Sequence, residues 1–231
     1  MRLIAGATMQ RAGVEVRLAP GWKTYWRYPG DSGIPPRFDF AGSRNVKSIT
    51  VRWPAPKRSI DESGTTIVYK HDVVFPLEII PEDAAKPTTL RLKLDYGVCA
   101  KICVPADARG ELTAEGSSTF AERIAASESL VPKPAALGVD GALSIRAARR
   151  EGNKVVVDIA APAGADVELF AEGPAPDWAL PVPTPVSQTG SLHRFAFDLA
   201  GLPPDTKPDG AMLTLTAVAG DQAIEVPFRL D

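Results

Sequence analysis

Residues 90–116 read LRLKLDYGVCAKICVPADARGELTAEG and hold Cys99 and Cys103, the only two cysteines of the chain. Leu90, Leu92 and Leu94 alternate with Arg91, Lys93 and Asp95, the period-two signature of a strand with one buried face. ELTAEG (111–116) is a second candidate strand, able to close a sheet. Two positions four apart on one straight strand are separated by roughly 13 Å, out of bonding reach. On a helix their Cβ atoms stand about 5–6 Å apart, too far for a disulfide without distortion. A hairpin whose loop is Ala100, Lys101 and Ile102 brings the two sulfurs face to face. Such loops usually place Gly at a left-handed position. None is present here, so the bridge is expected to carry strain and to open easily.

The alternation continues outward. GVEVRLA (13–19), VKSITVRW (46–53), TIVY (66–69) and VVFPLEI (73–79) read as strands. Between the first two, PGWKTYWRYPGDSGIPPRFDF (20–40) reads as an ordered, irregular loop containing one short strand. Its Trp22, Tyr25, Trp26 and Tyr28 are expected to serve core and loop packing. Residues 117–130, SSTFAERIAASESL, break the β pattern: Thr119 and Glu122 fit a capping box, and Phe120, Ile124 and Ala125 recur at helical spacing. The Pro-rich VPKPAALG (131–138) follows as a linker.

Beyond it come ALSIRAARR, NKVVVDIAAP, DVELFAEG, HRFAFDLAG, AMLTLTAVAG and AIEVPFRL, six strand candidates separated by Gly, Pro or Asp. PAPDWALPVPTPVSQ (174–188) reads as a long connection, with Trp178 covering the core edge, and His193 as a surface residue. Short strands with regular turn signals favour antiparallel sandwiches. The expected fold is all-β: two immunoglobulin-like β-sandwich domains joined by a short helix and a Pro-rich linker. The first covers residues 1–118, the helix and linker 119–138, and the second 139–231. No exact repeat relates the halves.

Composition narrows the function. The chain is 45% hydrophobic and 23% charged, enough for cores that need no disulfide staples. Its net charge of −2 offers no basic surface, so nucleic acid is not an expected partner. No apolar run reaches the roughly 20 residues that span a bilayer. MRLIAGATMQ does not read as a signal peptide. The chain is therefore either cytoplasmic or stripped of a leader, and the two cysteines favour the second.

Energetics bears on what those cysteines do. Closing so short a loop stabilises by about 2 kcal/mol, against about 4.7 for a hundred-residue loop. A bridge chosen for stability would span further. Four readings stand: a redox-active pair, a structural disulfide, a copper(I) site with His71 or a Met as third ligand, and a zinc site, for which the His spacing is wrong. The energy argument favours the redox pair. It needs no cofactor. Beside it stand a copper(I)-binding protein and a pure protein-interaction β-domain with an incidental bridge.

LDYGVCAKICVPADA resembles the cysteine segment of the periplasmic N-terminal domains of the DsbD/ScsB thiol:disulfide reductases. GWKTYWRYPGDSGIPPRFDFAGSRNV, WPAPKR and IVYKHDVVFPL resemble the same domain. The likeness covers about residues 2–115 and is nearest to ScsB, the suppressor-of-copper-sensitivity branch, whose shorter cysteine spacing it shares. It implies a thiol-disulfide oxidoreductase module in the periplasm. Such a module takes electrons from a membrane reductase domain of the same or another chain. It passes them to thioredoxin-fold partners of ScsC, DsbC or peroxiredoxin-like type. The resemblance makes Cys99 and Cys103 the catalytic pair and Cys103 the one that forms mixed disulfides.

Supporting residues follow from chemistry and from the resemblance. An attacking thiol must be partly ionised, which makes Lys101 a candidate by proximity. Tyr96 and Tyr69 are candidate donors to sulfur, and His71 a candidate neighbour across the sheet. DsbD covers its site with an aromatic cap loop. The matching place here is SIDESGTT (59–66), where Ile60 is a smaller cap residue. Asp61 and Glu62 are carboxylates that would keep nearby thiols protonated.

Overall fold

The structure, a computed structural model, describes residues 1–62, 64–114 and 119–231. Its chain divides into two compact units. The first is Met1–Pro29, Gly33–Lys57 and Ile67–Val131. The second is Pro132–Asp231 together with Gly30–Ser32 and Arg58–Thr66. Both are built mainly from antiparallel pairs, as the alternating sequence predicts; the exception is Lys133–Pro134, which pairs in parallel with Ile224 and Glu225. The architecture is all-β and immunoglobulin-like, with one short helix among the described residues.

The strands of the first half are β1 (Arg2–Ala5), β2 (Arg11–Val16), β3 (Lys23–Gly30), β4 (Arg37–Asp39), β5 (Ser48–Val51), β6 (Lys57–Asp61), β7 (Gly64–Tyr69), β8 (Val73–Ile80), β9 (Thr88–Cys99) and β10 (Cys103–Ala114). One sheet runs β1-β2-β8-β5. The other runs β10-β9-β3-β7-β6, with β4 also paired to β9. Strand β3 meets β9 only at Lys23 and Thr24; β4 takes over the pairing at residues 93–95. Leu90, Leu92 and Leu94 point into the core with Trp26, Ile67, Phe75 and Leu77. Phe75 lies at the centre of edge-to-face contacts with Phe38, Trp53 and Tyr69.

Three expectations are corrected here. The stretch 20–40 holds more strand than the one short strand expected: eight of its residues form β3, an interior strand of its sheet, and Arg37–Asp39 form β4. Its aromatic density had masked the alternation. Of the expected cap loop 59–66, residues 59–61 lie on β6 and 64–66 on β7; Ser63 is outside the described residues. The capping box is not formed either. The helix α1 (Ala121–Ser129) begins after Phe120, with no side-chain cap. Phe120 packs on Ile4, Val74 and Ile124 and lies 4.5 Å from the Arg2 guanidinium. Packing of that ring sets the start of the helix, overriding the local cap signal.

Helix α1 also explains why β8 is buried on both faces. Ile124 reaches Val74 and Ile4, and a Cβ on Gly13 would come within 3.2 Å of all three side chains. Ser127 donates to the Val74 carbonyl at 2.5 Å. Beside this contact Glu15 is fully buried, and its carboxylate is paired with Arg2 and, at 2.8 Å, with Arg123. A buried carboxylate needs such partners. ELTAEG proves to be the far end of a much longer strand, β10, that starts at Cys103; Glu115 and Gly116 lie outside the described residues, as do Ser117 and Ser118.

In the second half the strands are β11 (Lys133–Pro134), β12 (Ser144–Glu151), β13 (Lys154–Ala160), β14 (Val167–Glu172), β15 (Thr184–Thr189), β16 (Leu192–Asp198), β17 (Met212–Ala219) and β18 (Gln222–Arg229). They form the sheets β11-β18-β17-β14 and β12-β13-β16-β15. Their inner faces share one core, including Ile145, Val157, Leu169, Phe195, Leu215 and Val226. Trp178 joins that core and is 5% exposed. Two readings are corrected. Part of the Pro-rich stretch 174–188 is a strand, β15. His193 is buried, not superficial, because it falls on the same inward face of β16 as Phe195 and Phe197.

Segment Arg58–Thr66 is anchored within the second unit. The Arg58 backbone N–H donates to the Glu168 carboxylate at 2.9 Å, and its guanidinium donates to the carbonyls of Pro183 at 2.7 Å and Leu169 at 3.4 Å. Burial lowers the Arg58 pKa from its usual value, and the nearby carboxylates of Glu168 and Asp166 oppose that shift.

Candidate functional site

Strands β9 and β10 pair residue for residue over their whole length, from Thr88↔Ala114 to Cys99↔Cys103. The unbroken register carries the hairpin to its tip. There the two Cα atoms are 4.1 Å apart and the sulfurs are bonded. The loop is closed by the Ala100 N–H donating to the Ile102 carbonyl at 3.3 Å. None of Ala100, Lys101 and Ile102 has positive φ, so the expected backbone strain from a missing Gly does not arise.

The two sulfurs differ in access. Cys99 is 5% exposed and packs with Tyr25 and Val68, whereas Cys103 is exposed on an edge strand. Directly paired residues in an antiparallel sheet share a face. Lys23, Cys99 and Cys103 are paired in sequence across β3, β9 and β10, and therefore stand in one row on one face. Tyr25, two positions after Lys23 on β3, lies on that face as well. Its ring is buried and its hydroxyl is 3.2 Å from the Cys103 sulfur.

Two glycines admit that ring. A Cβ on Gly33, at φ 131°, would lie 2.3 Å from Tyr25 Cε1, and one on Gly97 would lie 3.1 Å from Cε2 and 2.8 Å from Ile34 Cβ. The Gly97 N–H donates to the Ile34 carbonyl at 3.1 Å. The segment that bears Ile34 covers the Cys99 face of β9. This is why Gly97 and Cys99 are buried on the face where Arg91 and Lys93 are exposed.

Of the residues expected to support the sulfurs, Lys101 lies in the loop between them, whereas Tyr96 and Tyr69 face the other side of their strands. Tyr96 is three positions from Cys99 on an unbroken strand and so faces the other side. Its hydroxyl pKa is raised, first by burial and then by Asp107. Tyr69 donates to the Pro54 carbonyl at 2.8 Å and packs edge-on against Phe75. Lys101 is exposed at the loop tip and His71 is exposed in the turn after β7; neither has an ion pair or hydrogen bond among the described residues. Ile60, 74% exposed, and Asp61 lie on β6, with Glu62 just after it; all three belong to the second unit. Among the described residues no group of three His, Cys, Asp or Glu is placed to share an ion.

The residues that sequence reading missed at the sulfurs are Tyr25 and Lys23. Their spacing of two was visible in KTY, but the pairing of Lys23 with Cys99 was not. Exposed sidewalls complete the tip: Ile102, Val104 and Ile34 are 76%, 42% and 41% exposed.

An immunoglobulin-like β-sandwich with a dithiol hairpin at a sheet edge defines a thiol–disulfide exchange module. Residues 3–115 match the family model described as Thiol:disulfide interchange protein DsbD, N-terminal, and this half of the chain belongs to that family. The whole chain is similar to the crystal structure of the N-terminal periplasmic domain of ScsB from Proteus mirabilis. The TM-score is 0.77 at 20% identity, over 99% of this chain and 91% of that one. No curated protein matches the sequence. No helix among the described residues is long and apolar enough to cross a membrane.

Proposed function

We propose that this chain is a periplasmic thiol-disulfide oxidoreductase module that relays electrons from a membrane reductase domain to thioredoxin-fold proteins. What carries the reading is the unequal exposure of two bonded sulfurs, Cys103 open and Cys99 covered, at the tip of the hairpin. In the reduced module the Cys103 thiolate attacks a partner disulfide. One partner sulfur leaves as a thiolate and a mixed disulfide forms on Cys103. The Cys99 thiolate then attacks the Cys103 sulfur, the second partner sulfur leaves, and the Cys99–Cys103 bond returns. Two electrons pass to the partner, and the protons of the two module thiols go to the released partner thiolates. The membrane domain resets the module by the reverse exchange. Ile102 and Ile34 give an approaching protein an apolar surface beside the accessible sulfur.

Replacing Cys99 by Ser removes the resolving thiol. Cys99→Ser is expected to accumulate a mixed disulfide with a thioredoxin-fold partner on non-reducing gels, and Cys103→Ser to accumulate none. In a glutathione titration the wild-type pair should behave as one reversible two-electron couple. A bond still intact well below about −300 mV would mark a structural bridge and end the relay reading.

A further inference from the structure

Exchange as described leaves one step without a driving group. Cys99 must become a thiolate to resolve the mixed disulfide, yet it is 5% exposed and packs with Tyr25 and Val68. Such surroundings oppose ionisation of a thiol. Lys101, the cation nearest in sequence, is solvated at the loop tip. Lys23 is different. It is 8% exposed, its Cα partner is Cys99, and Cys99 is in turn the partner of Cys103. Cβ atoms of directly opposed residues lie about 4.5–5.5 Å apart on a shared face. The register therefore roots a buried lysine beside the covered sulfur and two strands from the exposed one.

We propose that Lys23 is a positioning residue whose charge favours the thiolate of Cys99 and thereby sets the rate at which mixed disulfides are resolved. The inference rests on the exchange reading above and deepens it. It assigns the two halves of the reaction to different neighbours: Tyr25, at the Cys103 sulfur, belongs to attack, and Lys23, opposite Cys99, belongs to resolution. No atom of Lys23 enters the bond changes. Attack forms Cys103–S–S–R and releases one R–S⁻; resolution forms Cys99–S–S–Cys103 and releases the other. The lysine acts only on the population of thiolate available for the second step. A positive charge held in a poorly solvated site acts on a neighbour more strongly than one in water.

A chromogenic aryl disulfide reads the two steps separately, because each releases one coloured thiolate. Reduced wild-type protein should release two equivalents. In Lys23→Met the first equivalent should appear at the wild-type rate. The second should be slowed about tenfold near neutral pH, with its pH midpoint moved upward. Lys23→Arg should restore most of the rate, and Lys23→Gln should behave as Lys23→Met if the methionine variant folds poorly. A purely structural role would change both phases or neither. An unaltered second phase, in rate and pH profile, in a folded Lys23→Met or Lys23→Gln protein overturns the proposal while leaving exchange intact. If wild-type protein releases no second equivalent, the exchange reading fails, and the role of Lys23 fails with it.

Discussion

At the scale of single residues, the distinction between the two cysteines comes from their neighbours, since the thiols are chemically alike. Tyr25 places a hydroxyl 3.2 Å from the Cys103 sulfur. A donor at that distance stabilises a thiolate more than a thiol. Hydrogen bonds to charged groups contribute about 1.5–3 kcal/mol, and each 1.36 kcal/mol corresponds to about one pKa unit. Tyr25→Phe keeps the ring that fills the space over Gly33 and Gly97. It should therefore leave thermal stability nearly unchanged and slow the first exchange phase at neutral pH by roughly tenfold or more. The alkylation rate of the reduced protein against pH measures the loss. A Phe variant with the wild-type profile would show that the hydroxyl contributes nothing to attack.

At the scale of elements, the hairpin was legible and its surroundings were not. The alternation of Leu90, Leu92 and Leu94, and the geometric demand of a three-residue gap between cysteines, were enough to place the reversal. The length of β3 was not legible because the adjacent Tyr25 and Trp26 are both buried, and period-two patterning disappears in a strand covered on two sides. Residue 25 could not be assigned to the site until β3 was known to pair with β9. Tyr96 has the hydroxyl that a donor to sulfur needs, but three residues along a strand means the opposite face. His193 looks superficial beside Arg194, but alternate strand positions have opposite surroundings and His193 takes the inward one.

The same alternation produces a charge cluster in the second unit. Asp158 on β13 is the direct partner of Arg194 on β16 and receives its Nε at 2.6 Å and Nη2 at 3.0 Å; Arg149 on β12 adds a bond at 3.2 Å. The Arg194 hydrogen bonds hold the Asp158 carboxyl below the usual aspartate value, with burial opposing and Arg149 assisting. A lowered folded pKa means that the contribution to stability is complete above the unfolded aspartate value of about 3.9. It fades as pH falls from there through the folded value. Asp158→Asn should cost about 1–2 kcal/mol at neutral pH and progressively less in acid. Urea denaturation at pH 7 and again below pH 3.5 or so checks this; a constant difference at both values would remove the ionised carboxylate from the explanation.

At the scale of the whole molecule, the order of segments along the chain and the order of packing do not coincide. The linker 131–138 is where composition changes, yet Gly30–Ser32 and Arg58–Thr66 cluster with the residues that follow it. Composition reports where a chain runs through solvent. It carries no signal for an excursion of nine residues that finds its hydrogen-bond partners a hundred positions later. Arg58 is the clearest case, with Glu168, Leu169 and Pro183 as its partners. The Arg58 amide should be protected from hydrogen exchange in the full chain and exchange freely in a fragment ending at residue 131. Equal protection in the two would mean that the anchoring contacts are not what holds it.

Dissection of this protein is consequently not a matter of a single cleavage. A cut through the Pro-rich stretch severs one covalent connection but parts the β6 segment of the amino-terminal half from the carbonyls and carboxylate that fasten Arg58. An amino-terminal fragment prepared for redox measurements would carry that segment without its anchor. Its behaviour would then report on the missing anchor as well as on the sulfurs.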